Sequence, residues 1–154
     1  MTRRALYTLA ILGCVLWLGG VLIAPIAARR SMAIAPLVYA FYDTVCHQIA
    51  ERSFHLSGEP LAVCHRCTGL YLGFLAGLLA VPRWHRARRW LLDKPTRVIA
   101  FSLPLAADWL LTVNTTGSRF VTGLLAAAPI AVLLWAALGQ IASTTIEPIL
   151  EGET

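Results

Sequence analysis

An uncharged apolar segment of 24 residues, ALYTLAILGCVLWLGGVLIAPIAA at positions 5–28, constrains the fold of this chain more than any other feature. At about 1.5 Å per residue, a helix of this length crosses a hydrocarbon core of roughly 30 Å. The chain of 154 residues is 58% hydrophobic and 14% charged, which is more apolar surface than a soluble domain of this size can bury. We therefore expect an integral membrane protein, not a disordered chain, a secreted disulfide scaffold or a cytosolic enzyme.

Three further apolar segments predict an all-α membrane protein with about four transmembrane helices. They are residues 61–82, 98–113 and 120–138. Residues 34–46 form a shorter apolar segment that contains Asp43, so an amphipathic helix at the membrane interface is expected there. A segment over residues 34–50 that re-enters the membrane is the alternative. The prediction is a single membrane domain, residues 1–154, with a Cys/His loop over residues 29–66.

The basic residues predict the orientation of these spans. With four spans, eight basic residues lie on the side of both termini and five on the other side, so both termini are expected in the cytoplasm and the Cys/His loop outside the plasma membrane. We interpret the net charge of +5 as this topological signal, with the lipid bilayer as partner and no nucleic-acid role. The eight are Arg3, Arg4, Arg83, Arg86, Arg88, Arg89, Lys94 and Arg97; the five are Arg29, Arg30, Arg52, Arg66 and Arg119.

Small residues at intervals of four predict how two of the helices pack. Gly69, Gly73 and Gly77 give two consecutive GxxxG steps, and Gly123, Ala127 and Ala131 repeat the spacing in the fourth span. Such faces let helix backbones approach closely in lipid. We expect the two faces to meet within one chain, and a homo-oligomer through the same glycines is the alternative.

The segment CHQIAERSFHLSGEPLAVCHRCTGLYLG, residues 46–73, is the candidate site because it combines cysteine, histidine and charged side chains. Cys64 and Cys67 form a C-x-x-C pair in the predicted first turns of the second span, where the helix dipole favours a thiolate. With Cys46 and His47 they can form a tetrahedral site for zinc or iron. His55 and His65 are alternative fourth ligands. A redox-active thiol pair and a disulfide that only staples the loop remain the other interpretations.

Charged side chains from other segments converge on the same predicted side of the membrane. Asp108 is about five residues inside the third span, where a carboxylate normally faces a partner or a wet cavity. With Arg52 and Arg119 it is expected to form a polar shell that orients ligands or binds a small anion or cofactor. An ion pair between Asp108 and Arg119 that only holds helices together is the alternative.

The CHQ, RSF and C-x-R-C-T-G motifs, at CHQIAERSFHL and CHRCTGLYLG, resemble a family of small predicted membrane proteins, domain of unknown function family 2085. The resemblance covers most of residues 40–130, including the Asp of LPLAAD and an Arg shortly before a Thr-Gly pair. His65 stands where the family has a small residue, which disfavours it as a ligand. The resemblance implies one shared site formed by Cys46, His47, Gln48, Arg52, Ser53, Cys64, Arg66, Cys67, Gly69, Asp108 and Arg119.

The sequence supports three hypotheses about function. The first is a zinc or iron site formed by Cys46, His47, Cys64 and Cys67, with catalysis left open. The second is a membrane thiol–disulfide oxidoreductase that uses Cys64 and Cys67, with Cys46 as resolving thiol and a quinone as an electron acceptor. The third is a small permease or channel subunit, for which intramembrane Asp108 is the main support.

Overall fold

The protein consists of six helices and one β-hairpin in the computed structural model, which describes residues 3–83, 85–94, 96–110 and 115–151. In chain order the elements are α1 (Arg3–Arg29), α2 (Ala35–Asp43), a 3-10 turn (Ala50–Arg52), β1 (Ser53–Leu56), β2 (Glu59–Cys64), α3 (His65–Ala80), α4 (His85–Asp93), α5 (Thr96–Leu110) and α6 (Thr116–Glu151). The fold is therefore mostly helical, as the apolar segments predict.

Two helices are long and apolar enough to cross a membrane by themselves. They are the segments Arg4–Arg29 of α1 and Thr116–Gln140 of α6, which contain the predicted spans 5–28 and 120–138. The other two predicted spans correspond to shorter helices, α3 with 16 residues and α5 with 15. Helices of these lengths rise about 22–24 Å, which is less than the thickness of a typical hydrocarbon core. Residues 111–113 of the predicted third span lie outside the described residues.

The predicted second span, residues 61–82, is wrong at its start. Leu61, Ala62 and Val63 belong to β2, which pairs antiparallel with β1, and the helix begins only at His65. The hairpin turns at Ser57 and Gly58, both at positive φ. Such a short apolar run is compatible with either a strand or a helix, so its periodicity did not reveal the strand. The expectation of an all-α fold therefore fails in this segment.

Helix α2 occupies the segment for which an interfacial amphipathic helix is predicted. It packs on α1, where the Tyr42 hydroxyl donates a hydrogen bond to the carbonyl of Trp17 at 2.6 Å. Tyr42 is buried, whereas Leu37 and Phe41 are exposed. The helix thus has one face on the protein and a second apolar face directed outward.

Helices α3 and α6 pack with their backbones in direct contact. A Cβ atom at Gly69, Gly73 or Gly77 would collide with a main-chain carbonyl of α6, and one at Gly123 would lie 2.5 Å from the Arg66 carbonyl. The predicted meeting of the two small-residue faces within one chain is confirmed. Because α6 occupies this face of α3, the N-terminal end of α3 is held at a fixed position beside α6.

Two apolar cores lie at the two ends of α3. The core at its N-terminal end contains Val21, Ala24, Tyr42, Cys46, Leu61, Ala62 and Val63. The core at its C-terminal end contains Leu78, Val81, Leu91, Val98, Ala131, Val132 and Trp135. Cys46 belongs to the first core, and Cys64 and Cys67 pack against it, so the candidate site adjoins the packed interior of the hairpin and its neighbouring helices.

Candidate metal centre

Three cysteines from three different elements meet beside the hairpin. Cys46 follows α2, Cys64 ends β2, and Cys67 lies in the first turn of α3. Their Sγ atoms all lie within 4.8 Å of one another. Cys46 is buried, and the other two are half-buried. All three are free thiols.

Hydrogen bonds around the hairpin hold the three thiols at this spacing. The backbone N–H of Cys64 donates to Cys46 Sγ at 3.2 Å. Gln48, at a positive φ of 48°, donates its side-chain amide to the Tyr39 carbonyl at 2.7 Å. The Tyr39 hydroxyl donates in turn to the Pro60 carbonyl at 2.5 Å. The loop that carries Cys46 is therefore fixed to both α2 and β2 before any ion binds.

The electrostatics favour a thiolate at Cys64. Hydrogen bonds from the thiols of Cys46 and Cys67 lower the pKa of the Cys64 thiol well below its usual value. Cys64 is also the residue that precedes the first turn of α3, where unpaired N–H groups and the positive end of the helix dipole stabilise an anion. A thiolate is both the form that binds a metal and the form that attacks a disulfide.

The spacing of the sulfurs fits a single metal ion. Around a tetrahedral zinc with Zn–S bonds of about 2.3 Å, thiolates lie about 3.8 Å apart, within the 4.8 Å observed here. A [4Fe–4S] cluster instead binds each cysteine to a different iron and requires a wider arrangement. The three thiols could therefore hold one zinc or iron ion and leave one coordination position for another ligand.

None of the three histidines near the thiols belongs to the three-sulfur group in the described part of the chain. His47 and His55 are exposed. His65 is buried, and its ring lies edge-to-face on Phe54 with 4.4 Å between centroids. The structure thus brings together three of the four predicted ligands, Cys46, Cys64 and Cys67, and leaves the fourth, His47, at the surface.

Asp108 is buried and bound by side chains from α3 and α6. Arg66 Nη2 donates to Asp108 Oδ2 at 2.5 Å, and Ser118 Oγ donates to Oδ1 at 2.6 Å. The sequence suggested Arg119 as the ion-pair partner of Asp108 only as an alternative to the polar shell; the Arg119 charge does act on this carboxylate, but Arg66 and Ser118 are the side chains that bind it. The sequence signal for the role of Arg66 was its position inside the C-x-R-C motif. Since Arg66 adjoins Cys67, the ion pair connects the thiol end of α3 to α5.

Arg52, the third residue of the predicted polar shell, is exposed at the end of the 3-10 turn. Asp108 is by contrast 5% exposed. The structure therefore separates the predicted polar shell into a buried charge cluster around Asp108 and a surface arginine.

Comparison with known proteins identifies relatives without an assigned function. The family described as "Predicted membrane protein (DUF2085)" matches residues 46–133, which is more than half of the chain and includes all three clustered cysteines. An uncharacterised protein of Methanocaldococcus jannaschii is 33% identical over 98 residues, covering 60% of this chain and 63% of the relative. An uncharacterised protein of Methanothermobacter thermautotrophicus is 52% identical over 29 residues, covering 19% of this chain and 26% of the relative.

The chain spans less than two thirds of the length of these relatives. No solved structure matches it. The comparisons therefore give a family and a membrane location, and the chemistry has to be argued from the three thiols.

Proposed function

We propose that this chain, a member of the DUF2085 family of predicted membrane proteins, binds one zinc or iron ion at an extracytoplasmic Cys/His site. The observation that supports this proposal is the convergence of Cys46, Cys64 and Cys67 within 4.8 Å, at a spacing suited to one tetrahedral ion. Soft thiolates select zinc or iron over magnesium or calcium.

His47 supplies the fourth ligand in this proposal. It follows Cys46 directly in the chain, on the irregular segment between α2 and the 3-10 turn. Its imidazole is exposed and does not pack in the apolar core, so the side chain can turn toward the thiols when the ion binds. A Cys₃His set is a common closed zinc site.

The proposed topology has four membrane crossings, with α3 and α5 as the short inner pair. Both termini face the cytoplasm, and the hairpin with its thiols lies outside the plasma membrane. The tight contact of α3 with α6 supports this arrangement. Helix α6 is long and apolar enough to span the membrane, and a helix that packs against it backbone to backbone lies in the same bilayer. Asp108 and Arg119 form the proposed polar shell, and Arg52, exposed at the end of the 3-10 turn, does not belong to it.

The metal content of detergent-purified protein tests the site. We expect about one zinc or iron per chain in the wild type, and loss of the ion in Cys46→Ser, Cys64→Ser and Cys67→Ser, since three thiolates supply most of the binding. His47→Ala should weaken the affinity by about 10–100-fold without abolishing binding. Cys14→Ser is the matched control, because Cys14 lies in α1 outside the thiol group and should leave the ion in place. Metal-free wild-type protein would contradict the proposal.

A thiol–disulfide oxidoreductase is the second candidate, and the thiolate character of Cys64 beside Cys67 supports it. Oxidation of the Cys64 thiolate and the Cys67 thiol to a disulfide releases two electrons and one proton, which together with one proton from water reduce a membrane quinone to the quinol. A metal-free protein with a Cys64–Cys67 disulfide that a mild dithiol opens reversibly, and that a quinone analogue re-forms, would establish this function. A disulfide that resists both treatments would identify a structural staple.

A further inference from the structure

A cavity of about 540 Å³ lies between α3, α4, α5 and α6, at the end of α3 opposite the cysteines. Its lining is almost entirely apolar and includes Leu79, Phe101, Leu125 and Val132. The volume lies within the range of about 300–1,000 Å³ that is typical of small-molecule sites. The cavity is separate from the thiol site, so neither the metal nor the redox proposal accounts for it.

The cavity opens on the outer surface of the helices. Leu79, Phe101 and Leu125 line it and yet are 41%, 37% and 39% exposed, respectively. In a membrane protein, an apolar opening on the outer helix surface faces lipid chains and gives water-soluble ligands no route of entry. The occupant therefore has to enter sideways from the bilayer and carry at least one hydrocarbon chain.

One end of the cavity is basic. Arg83 and Trp90 line it there, and the Arg97 guanidinium lies 4.3 Å from the centre of the Trp90 ring and also donates a hydrogen bond to the Trp90 carbonyl. Arg86 and Arg89 are exposed on α4 beside this rim. A tryptophan next to arginines at the end of an apolar layer is typical of the headgroup region of a membrane.

The positive charge at this rim is mostly unbalanced. Asp93 lies 3.6 Å from Arg97 and offsets that charge. Within the described ranges, no carboxylate forms a salt bridge with Arg83, whose guanidinium donates instead to the Leu79 carbonyl at 3.4 Å. Residues 81–97 contain six basic side chains and one acidic side chain. The rim is thus complementary to an anionic group at the level of the lipid headgroups.

We propose that this cavity binds an anionic phospholipid, with one acyl chain between α3, α5 and α6 and the phosphate against Arg83. Basic pockets between helices at the cytoplasmic surface bind the headgroups of anionic lipids in other membrane proteins. The inference rests on the proposed four-crossing topology, which places α3 and α5 in the bilayer, and not on the metal site. Loss of lipid selectivity and loss of the metal are therefore separate observations.

Native mass spectrometry of the full chain in a non-ionic detergent tests the site, with phosphatidylglycerol and phosphatidylcholine of identical acyl chains as probes. We expect the wild type to retain one phosphatidylglycerol per chain in preference to phosphatidylcholine. Arg83→Gln should weaken phosphatidylglycerol retention about fivefold and leave phosphatidylcholine retention unchanged. Arg30→Gln is the matched control, because Arg30 is exposed just after the C-terminal end of α1 and does not line the cavity, and it should change neither.

A second variant tests the chain-binding part of the cavity. Ala76 lines the cavity from its exposed side, so Ala76→Phe should fill the space and reduce the retention of both lipids while the protein stays monodisperse. Equal effects of Arg83→Gln and Arg30→Gln would overturn the headgroup assignment. Unchanged retention of both lipids in Ala76→Phe would overturn the cavity as a lipid site. So would a wild-type protein that is a lipid-free dimer and that Ala76→Phe converts to a monomer.

Discussion

Asp108 shows how a single buried charge is accommodated in this protein. A carboxylate that is 5% exposed would be strongly unfavourable alone, but Arg66 supplies the opposite charge and Ser118 a hydrogen bond. The Arg66 side chain remains 24% exposed, so solvent still screens part of the interaction. The pair matters for stability chiefly because removing either partner leaves the other side chain without its counter-charge.

Asp108→Asn is therefore expected to lower the free energy of unfolding by about 3 kcal/mol, because it leaves the Arg66 guanidinium without its counter-charge. Thermal unfolding in detergent measures the effect. Asp93→Asn is the matched control, since Asp93 is exposed and lies 3.6 Å from Arg97 in an (i, i+4) pair that contributes about 0.5 kcal/mol or less. Equal shifts for the two variants would show that the Asp108 pair has no special role.

The contact between α3 and α6 illustrates what packing requires at the scale of helices. The hydrophobic effect does not drive association between helices in lipid, so the van der Waals contacts of closely packed backbones supply the attraction. Gly73 lies against the backbone of Leu124, and a side chain at this position would force the two helices apart.

Gly73→Ala should destabilise the protein by about 1–3 kcal/mol, because the added methyl group collides with the main-chain carbonyl of Leu124. The midpoint of thermal unfolding is the measurement. Gly19→Ala provides the control on α1, where a Cβ atom would meet nothing within 4 Å, and it should be neutral or slightly stabilising. A neutral Gly73→Ala variant would mean that the two helices are not in backbone contact.

These elements also show how far the sequence predicts the structure. The long apolar segments of α1 and α6, the glycine face of α3 and the grouping of the cysteines could be predicted, because each depends on a local pattern. The hairpin could not, since Leu61 to Val63 fit a strand or a helix equally well. The partner of Asp108 could not either, because the choice of Arg66 depends on how α3 and α5 pack in three dimensions.

At the scale of the whole molecule, the number of membrane crossings decides where α4 lies. Four crossings place α4 in the cytoplasm, whereas two crossings, by α1 and α6 alone, place it outside the cell together with the hairpin. Both termini share one side in either case, so fusions at the ends do not distinguish the two topologies.

A specific protease site inserted after Gly58 or after Arg86 distinguishes them in intact cells. We expect cleavage after Gly58 by external protease and protection after Arg86, because in the four-crossing topology α3 crosses the membrane between the hairpin and α4. Permeabilised cells serve as the control, since both sites should then be cleaved. External cleavage after Arg86 in intact cells would show that α3 and α5 do not cross.

The three thiols all come from one continuous stretch of chain, between Cys46 and Cys67. All three cysteines of the group are therefore synthesised before α5 and α6. In the proposed topology and with the proposed metal site, an ion can be captured once α1 has inserted and the hairpin has been translocated, while the ribosome is still making the rest of the protein. The order of residues in the chain thus allows the proposed centre to mature first, because the charge cluster around Asp108 closes only after α6, which carries Ser118, has been made.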